Sequence, residues 1–470
     1  MDAKHDKLRG LAVVDIGYTN SKVVLYSPTL EPVAERKMAS PHHDGRHYRE
    51  IDVAPIVDFV GKALRELDAI LPVDRISVSA HGACIVTLGP DGTPAVPVMD
   101  YMSDPPPDIL KAYEAVMPDY AEAFTTPLPM ALLHGLQLFW QEQVMPEQFS
   151  KATAILPLMQ YMAHALGGRA VTEVSSMSCQ SHLVDRRSGG PSSLARRLGW
   201  DRLYAPPAKA WEVIGTLKPQ LRGSGFAGRG EILAGVHDSN ANFLRYLAAG
   251  QEHFTLLSTG TWIIGFDTDA DISSLDHGRD IVANKNVFGK TIACCRFFGG
   301  KEFEVLSKNA GDVHASMALV EEFVAREVMA LASFTDSGGP MPGTALKGRI
   351  VGPFAEGAAE RASLASLYCA LMVAESLDAI QSHGNVIVDG PFSQNAVFLA
   401  VLAALRPGQA IYASEARDGT VAGAACLALM PDGRLPKIAL PLRLIDAAAV
   451  PGLNAYQAAW KRRSLENANA

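Results

Sequence analysis

Two short turns, about half a chain apart, constrain this sequence more than any other feature. Val13-Val14-Asp15-Ile16-Gly17-Tyr18-Thr19-Asn20 and Leu256-Leu257-Ser258-Thr259-Gly260-Thr261 each carry an apolar strand into a turn of glycine with hydroxyl or amide residues. Self-similarity at such a distance is a mark of internal duplication, each copy supplying one structural unit. Two ordinary hairpins would also produce these letters, so duplication stands as an expectation. Length points the same way. A chain of 470 residues exceeds what one hydrophobic core organises, so two domains of comparable size are expected.

Patterning places the other elements. Residues 12–15 and 21–26 read as paired strands, 54–71 as a helix, and 75–80 and 84–88 as strands, with a turn at Pro90-Asp91-Gly92. The proline-rich stretch 104–129 reads as irregular, and 130–143 and 157–166 as helices. Pro206-Pro207 and the glycine-rich residues 222–230 read as loops approaching a boundary, expected to divide the chain into 1–234 and 235–470. Beyond it come strand, turn and strand over 256–266, a long helix over 364–382 and a strand over 386–389. A helix over 395–405, a strand over 410–413 and a small-residue helix over 420–429 follow.

Composition narrows the partners. The net charge is −8 with no basic cluster, so nothing favours nucleic acid or an anionic membrane. Residues 1–9 are charged and lack the apolar stretch of a secretory signal, and no segment reads as the roughly 20 apolar residues of a membrane span. The six cysteines contain no C-x-x-C pair and sit mostly in apolar surroundings. They read as reduced core thiols of a cytoplasmic protein, with the adjacent Cys294 and Cys295 taken up in strand packing.

Three places could carry chemistry. Gly17 permits a tight turn with exposed amides, and Thr19, Asn20 and Ser21 add donors, a combination able to hold phosphate oxygens. Asp15 ends a buried strand, where a carboxylate is costly unless it meets a cation or a donor. Mg²⁺ usually takes only one or two carboxylates and keeps several waters, so one Asp facing a nucleotide suffices. A polar hairpin is the plainer alternative. In Gly235-Val236-His237-Asp238-Ser239-Asn240, Asp238 stands at a strand end, suited to accept a hydroxyl proton; it could equally cap a helix. In Val388-Asp389-Gly390-Pro391-Phe392-Ser393-Gln394-Asn395, a strand passes through a turn into a helix start, which suits a phosphate or ribose, with Asn395 available for base or sugar. An ordinary loop capped by Ser393 is the other reading.

Taken in order, these motifs resemble the FGGY family of carbohydrate kinases, of the actin, hexokinase and heat-shock ATPase superfamily, over nearly the whole chain. The resemblance implies an α/β fold of two actin/hexokinase-like (ribonuclease H-like) domains, the N-terminal one binding sugar and the C-terminal one nucleotide, with an active-site cleft between them. It implies ATP and Mg²⁺, with a small-molecule sugar as acceptor and a monomer or homodimer as the working form. Asp15, Gly17, Thr19, Asn20 and Lys22 then belong to the first phosphate loop, and Asp15 is the Mg²⁺ residue, acting through water. Thr259, Gly260 and Thr261 belong to the second phosphate loop, Gly390 and Asn395 to the adenosine loop, and Gly423 to the closing small-residue helix. Asp238 becomes the catalytic base, and His81, Gly82, His237, Asp238 and Trp262 contact the sugar. Asp389 stands where the family's adenosine loop has its first glycine.

Around Asp238 and in Ser258-Thr259-Gly260-Thr261-Trp262 the chain is similar to the rhamnulokinase and L-fuculokinase branch, which implies a ketose converted to its 1-phosphate. Ser79-Ala80-His81-Gly82-Ala83 matches neither the Asp-Thr-Trp-Gly of rhamnulokinases nor the Gln-Met-His-Gly of xylulokinases. Ribulose, xylulose, glycerol or an autoinducer-like acceptor therefore stay open, as does a non-catalytic nucleotide-binding protein of the superfamily. Trp262 reads as a wall of the sugar pocket or as an ordinary core residue. His42, His43 and His47, around Asp44, fit no closed metal site and read as a solvated loop.

Overall fold

The computed structural model describes residues 8–308, 313–415, 418–430 and 432–469. Contacts divide the chain into two compact units. The first comprises residues 1–250, 284–291 and 418–438, and the second 251–283, 292–417 and 439–470.

The first unit is built on strands β1 (Gly10–Ile16), β2 (Asn20–Tyr26), β3 (Pro32–Ala39), β4 (Val73–Ala80), β5 (Val213–Thr216), β6 (Glu231–Leu233) and β7 (Val236–His237). They form one sheet in the order β3-β2-β1-β4-β6-β5, with β7 also paired to β4. β1 to β3 run antiparallel, while β4 lies parallel to β1. A strand buried on both faces should be continuously apolar, and β1 is: Leu11 to Val14 are all fully buried. Alternation then sends Ala12, Val14 and Ile16 into the core that holds helix α1 (Val53–Asp68), and Leu11 and Val13 into the core that holds helix Gly419–Leu427. Against the latter helix packs α2 (Asp238–Ala248), so closely that a Cβ on Gly423 would stand 1.7 Å from the Ala241 carbonyl oxygen. A third core, around Ile85, Leu136, Trp140 and Trp200, supports the loops that leave β4.

The second unit repeats the plan. Strands β8 (Phe254–Thr259), β9 (Ile263–Asp267), β10 (Ile281–Lys285), β11 (Thr291–Phe297), β12 (Asn385–Asp389), β13 (Ile411–Ser414) and β14 (Leu442–Leu444) lie in the order β10-β11-β9-β8-β12-β13-β14. β8, β9 and β11 are antiparallel, and β12 runs parallel to β8. The turn after β1 and the turn after β8 therefore hold equivalent places, each between an antiparallel hairpin and a parallel neighbour. This is the topology a duplication predicts. Helices α3 (Gly299–Ser307), α4 (Ala358–Ala379) and α5 (Ala396–Leu405) cover this sheet. Its core takes in Cys369, while Cys294 and Cys295 are buried in β11, as the strand reading expected.

Three expectations need correction. The stretch 104–129 contains helices Pro107–Glu114 and Tyr120–Ala123, the first starting at a proline, which a first helical turn accepts. α4 is 22 residues long and apolar enough to pass for a membrane span, but it is buried in the core; its charged residues had hidden that length. The strand pair His42–Asp44 and Arg49–Ile51 replaces the solvated loop expected around His42.

Candidate active site

In the first unit, β7 ends at His237 and α2 begins at Asp238, so a buried strand delivers the carboxylate to a helix start. Donors converge on one of its oxygens. Asp238 Oδ1 accepts from the Ser239 amide at 2.5 Å and the Ser239 hydroxyl at 3.1 Å, and lies 3.0 Å from His237 Nε2. About a third of the side chain, 34%, is exposed. Burial works to raise the pKa of Asp238, but the charge and hydrogen bond of His237 outweigh it and hold the carboxyl below its ordinary value. His237 shifts the opposite way. Burial disfavours its charge, while its neighbours Cys179, at 3.5 Å, and Asp238 carry it well above the ordinary histidine value. The result is a charged pair with an ionised base at the helix start.

Gly82 makes this approach possible. A Cβ there would meet His237 Nε2 at 2.5 Å and Cys179 Sγ at 2.7 Å. Its loop is pinned by helix His134–Val144: His134 Nε2 lies 2.6 Å from the Gly82 carbonyl oxygen, and Gln137 donates to the Ala83 carbonyl at 3.0 Å while accepting from the Ile85 amide at 3.1 Å. His81, at the head of the loop, stacks edge-on against Tyr101. Burial depresses its pKa to about 4, so its ring is neutral at physiological pH.

Asp15 sits one residue from the end of β1, in register with Lys22 on β2 and Ser79 on β4. Burial, then the negative charge of Asp238, push its pKa up to about 7, against the pull of Lys22. Lys22 also lies 3.3 Å from Asp418. A carboxylate destabilised in this way fits a cation site, because a divalent ion would repay its desolvation. Among the described residues no three metal-binding side chains cluster, so any ion here must draw its other ligands from water and phosphate.

The loop Gly17, Tyr18, Thr19 is held by its carbonyls. Gly17 O accepts from Ser40 Oγ at 2.7 Å, Thr19 O accepts from the Ser40 amide at 3.0 Å, and Tyr18 O lies 2.8 Å from His42 Nε2. Sequence reasoning missed the neighbours of this loop. Asp100, fully buried, lies 2.9 Å from His42 Nδ1 and accepts from Tyr18 Oη at 3.3 Å. Tyr101 packs between the Tyr18 and His81 rings. The signal for Asp100 was present: a carboxylate closing the run Val96-Pro97-Val98-Met99 is the same clue that singled out Asp15.

In the second unit two of the expected loops meet. Thr259 Oγ1 donates to the Asp389 carbonyl at 2.5 Å and accepts from the Phe392 amide at 3.1 Å. Gly390 has φ +88°, and a Cβ there would stand 2.1 Å from the Thr259 carbonyl oxygen. Only glycine allows that contact. The Thr259 hydroxyl thus braces the Gly390 loop. Gly260 and Thr261 lead to α3, whose Gly300 amide donates to the Thr261 carbonyl at 3.1 Å. Asn395, rather than Ser393, caps α5: its Oδ1 accepts from the Phe398 amide at 3.0 Å and its Nδ2 donates to Ser366 Oγ at 2.9 Å. Beside the cap lies a cavity of about 380 Å³ lined by Phe303, His314, Ala362, Ser366, Gln394 and Asn395 among others. Trp262 stacks on Phe298 at 4.2 Å between ring centres, with the Arg296 guanidinium over its ring.

Duplicated sheets, each carrying a glycine turn at its hairpin, and a strand-end carboxylate held as a base define a kinase-type scaffold. The model of the C-terminal domain of FGGY carbohydrate kinases matches residues 251–436. A carbohydrate kinase from Novosphingobium aromaticivorans superposes with a TM-score of 0.86 at 30% identity, over 99% of this chain and 100% of that one. Xylulose kinase from Rhodospirillum rubrum, at 16% identity and TM-score 0.76, covers 97% of each chain. Gluconate kinase from Lactobacillus acidophilus, at 15% identity and TM-score 0.80, covers 98% of this chain and 97% of its own. No curated protein sequence is a significant match. The chain belongs to the FGGY family of carbohydrate kinases, and its activity is ATP-dependent phosphoryl transfer to a sugar.

Proposed function

We propose that the acceptor is a ketose, with L-rhamnulose or L-fuculose, phosphorylated at O1, the first candidates. Asp238 is the base. The convergence of Ser239 and His237 on Oδ1 of Asp238, which leaves Oδ2 to receive the sugar hydroxyl, carries the base assignment, and the choice of ketose rests on the likeness of Ser258-Thr259-Gly260-Thr261-Trp262 to the rhamnulokinase and L-fuculokinase branch. Asp238 orients that hydroxyl and takes its proton as the bond to phosphorus forms, an effect worth about 10²–10⁴ in rate. His237 keeps the carboxylate ionised and in one rotamer, while the neutral His81 and Tyr101 wall the sugar.

The amides of Tyr18 and Thr19 face the phosphates, and Lys22 offsets their charge. Asn395 lines the cavity that takes the adenosine, Gly390 turns the chain into Pro391 on its wall, and Gly423 lets α2 approach its partner helix closely. Trp262 lies beside the second phosphate loop, where it would flank the acceptor. Asp15 would hold Mg²⁺ through water, and the ion when bound neutralises charge on the β- and γ-phosphates. The buried free thiols suit the cytoplasm.

A coupled assay of ADP release with ATP and L-rhamnulose, L-fuculose, L- and D-ribulose, D-xylulose, gluconate and glycerol tests the proposal. Highest kcat/KM on a 6-deoxyketose supports it. A preference for xylulose, gluconate or glycerol, the compounds named in the related structures, would replace the acceptor and leave the base assignment intact.

A further inference from the structure

The fold gives each ring nitrogen of His42 a partner. Its Nε2 lies 2.8 Å from the Tyr18 carbonyl oxygen, and a carbonyl only accepts, so Nε2 carries a hydrogen. Its Nδ1 lies 2.9 Å from Asp100 Oδ2. Asp100 accepts from the Met102 amide at 2.8 Å through Oδ1, and from Tyr18 Oη at 3.3 Å and Arg49 Nε at 3.4 Å through Oδ2. Both oxygens of Asp100 and both ring nitrogens of His42 are thus engaged.

Asp100 is 0% exposed, and a buried carboxyl needs close hydrogen-bond partners. The Arg49 side chain is 46% exposed and farther off, so the imidazole, 12% exposed, is the nearer partner. Tyr18 and Tyr101 are neutral phenols, His81 is uncharged, and the adjacent His43 is turned to Glu50 at 3.1 Å.

The consequence lies in the loop. In a trans peptide the N–H points opposite to its C=O. The carbonyls of Gly17, Tyr18 and Thr19 are all drawn toward residues 40–42, so the amide hydrogens of Tyr18 and Thr19 face the other way. We infer that His42 is a positioning residue: its ring ties the phosphate loop at Tyr18 to the buried Asp100, so that loop and sugar-side wall are set by one clamp. This rests on the reading of residues 17–20 as a phosphate loop.

Two variants divide the clamp. In His42→Asn the amide nitrogen sits where Nδ1 was, keeping the bond to Asp100 and losing that to Tyr18. His42→Gln reaches the Nε2 position and does the reverse. Loss of one hydrogen bond predicts about a tenfold rise in KM for ATP in His42→Asn, and about a tenfold rise in KM for sugar in His42→Gln, each with the other KM little changed. General loss of packing would not split the constants.

Variants that leave both KM values unchanged overturn the inference alone. A wild-type protein inert with every acceptor overturns the kinase reading and the positioning role with it.

Discussion

Asp15→Asn in metal-free protein tests whether the phosphate site is electrostatically costly until it is filled. Burial and the neighbouring Asp238 raise the Asp15 pKa from 3.8 to about 7. A carboxyl with a raised folded-state pKa binds its proton more tightly folded than unfolded. Its folded state is therefore favoured below about pH 4, and that stability is lost as the pH climbs to about 7. At about 1.36 kcal/mol per tenfold change in proton affinity, the ceiling is about 4 kcal/mol. Solvent reaching the half-buried side chain reduces the expected effect to about 2 kcal/mol. Asparagine keeps the shape and never ionises. The assay is urea unfolding in EDTA at pH 4.5, 6, 7 and 8, comparing the two proteins at each pH. The variant should exceed wild type by only about 0.5 kcal/mol at pH 4.5 and by about 2 kcal/mol at pH 8, while losing turnover with Mg²⁺ and ATP. An advantage that does not change with pH, or a variant less stable than wild type at pH 8, would refute the argument.

Asp238→Asn should keep nucleotide affinity and lose about 10²–10⁴ in kcat; steady-state rates close to wild type would remove Asp238 as the base. His81→Ala should raise the sugar KM. Because the ring is neutral down to a pKa of about 4, the rise should be the same at pH 6 and pH 8, and an unchanged KM would take His81 out of the pocket. Gly423→Ala forces a methyl against the Ala241 carbonyl, 1.7 Å away. It should cost about 1–3 kcal/mol of stability as overpacking between helices, and calorimetry showing an unshifted melting temperature would contradict that packing.

Much of the fold was legible because its signals are local. Apolar runs ending in glycine turns at 13–20 and 256–261 follow from period-two burial and from a backbone need only glycine meets, and both appear as equivalent hairpins in the two sheets. Asp15 and Asp238 stood out because a carboxylate ending a buried strand is costly without a purpose. Other roles could not be read from local sequence. The Thr259 hydroxyl is engaged in bracing Gly390, and Asn395 in capping α5, because each partner arrives from a distant segment. Tyr18, His42 and Asp100 share no spacing pattern and meet only because β3, the strand pair 42–51 and the loop at 100 converge. The sequence alone determined the duplicated α/β scaffold and the acids that could act, since periodicity and the cost of burying charge operate within a few residues. Tertiary structure alone decided which oxygen of Asp238 its neighbours engage and which groups meet Asp100, because both depend on donors that only the fold brings into place.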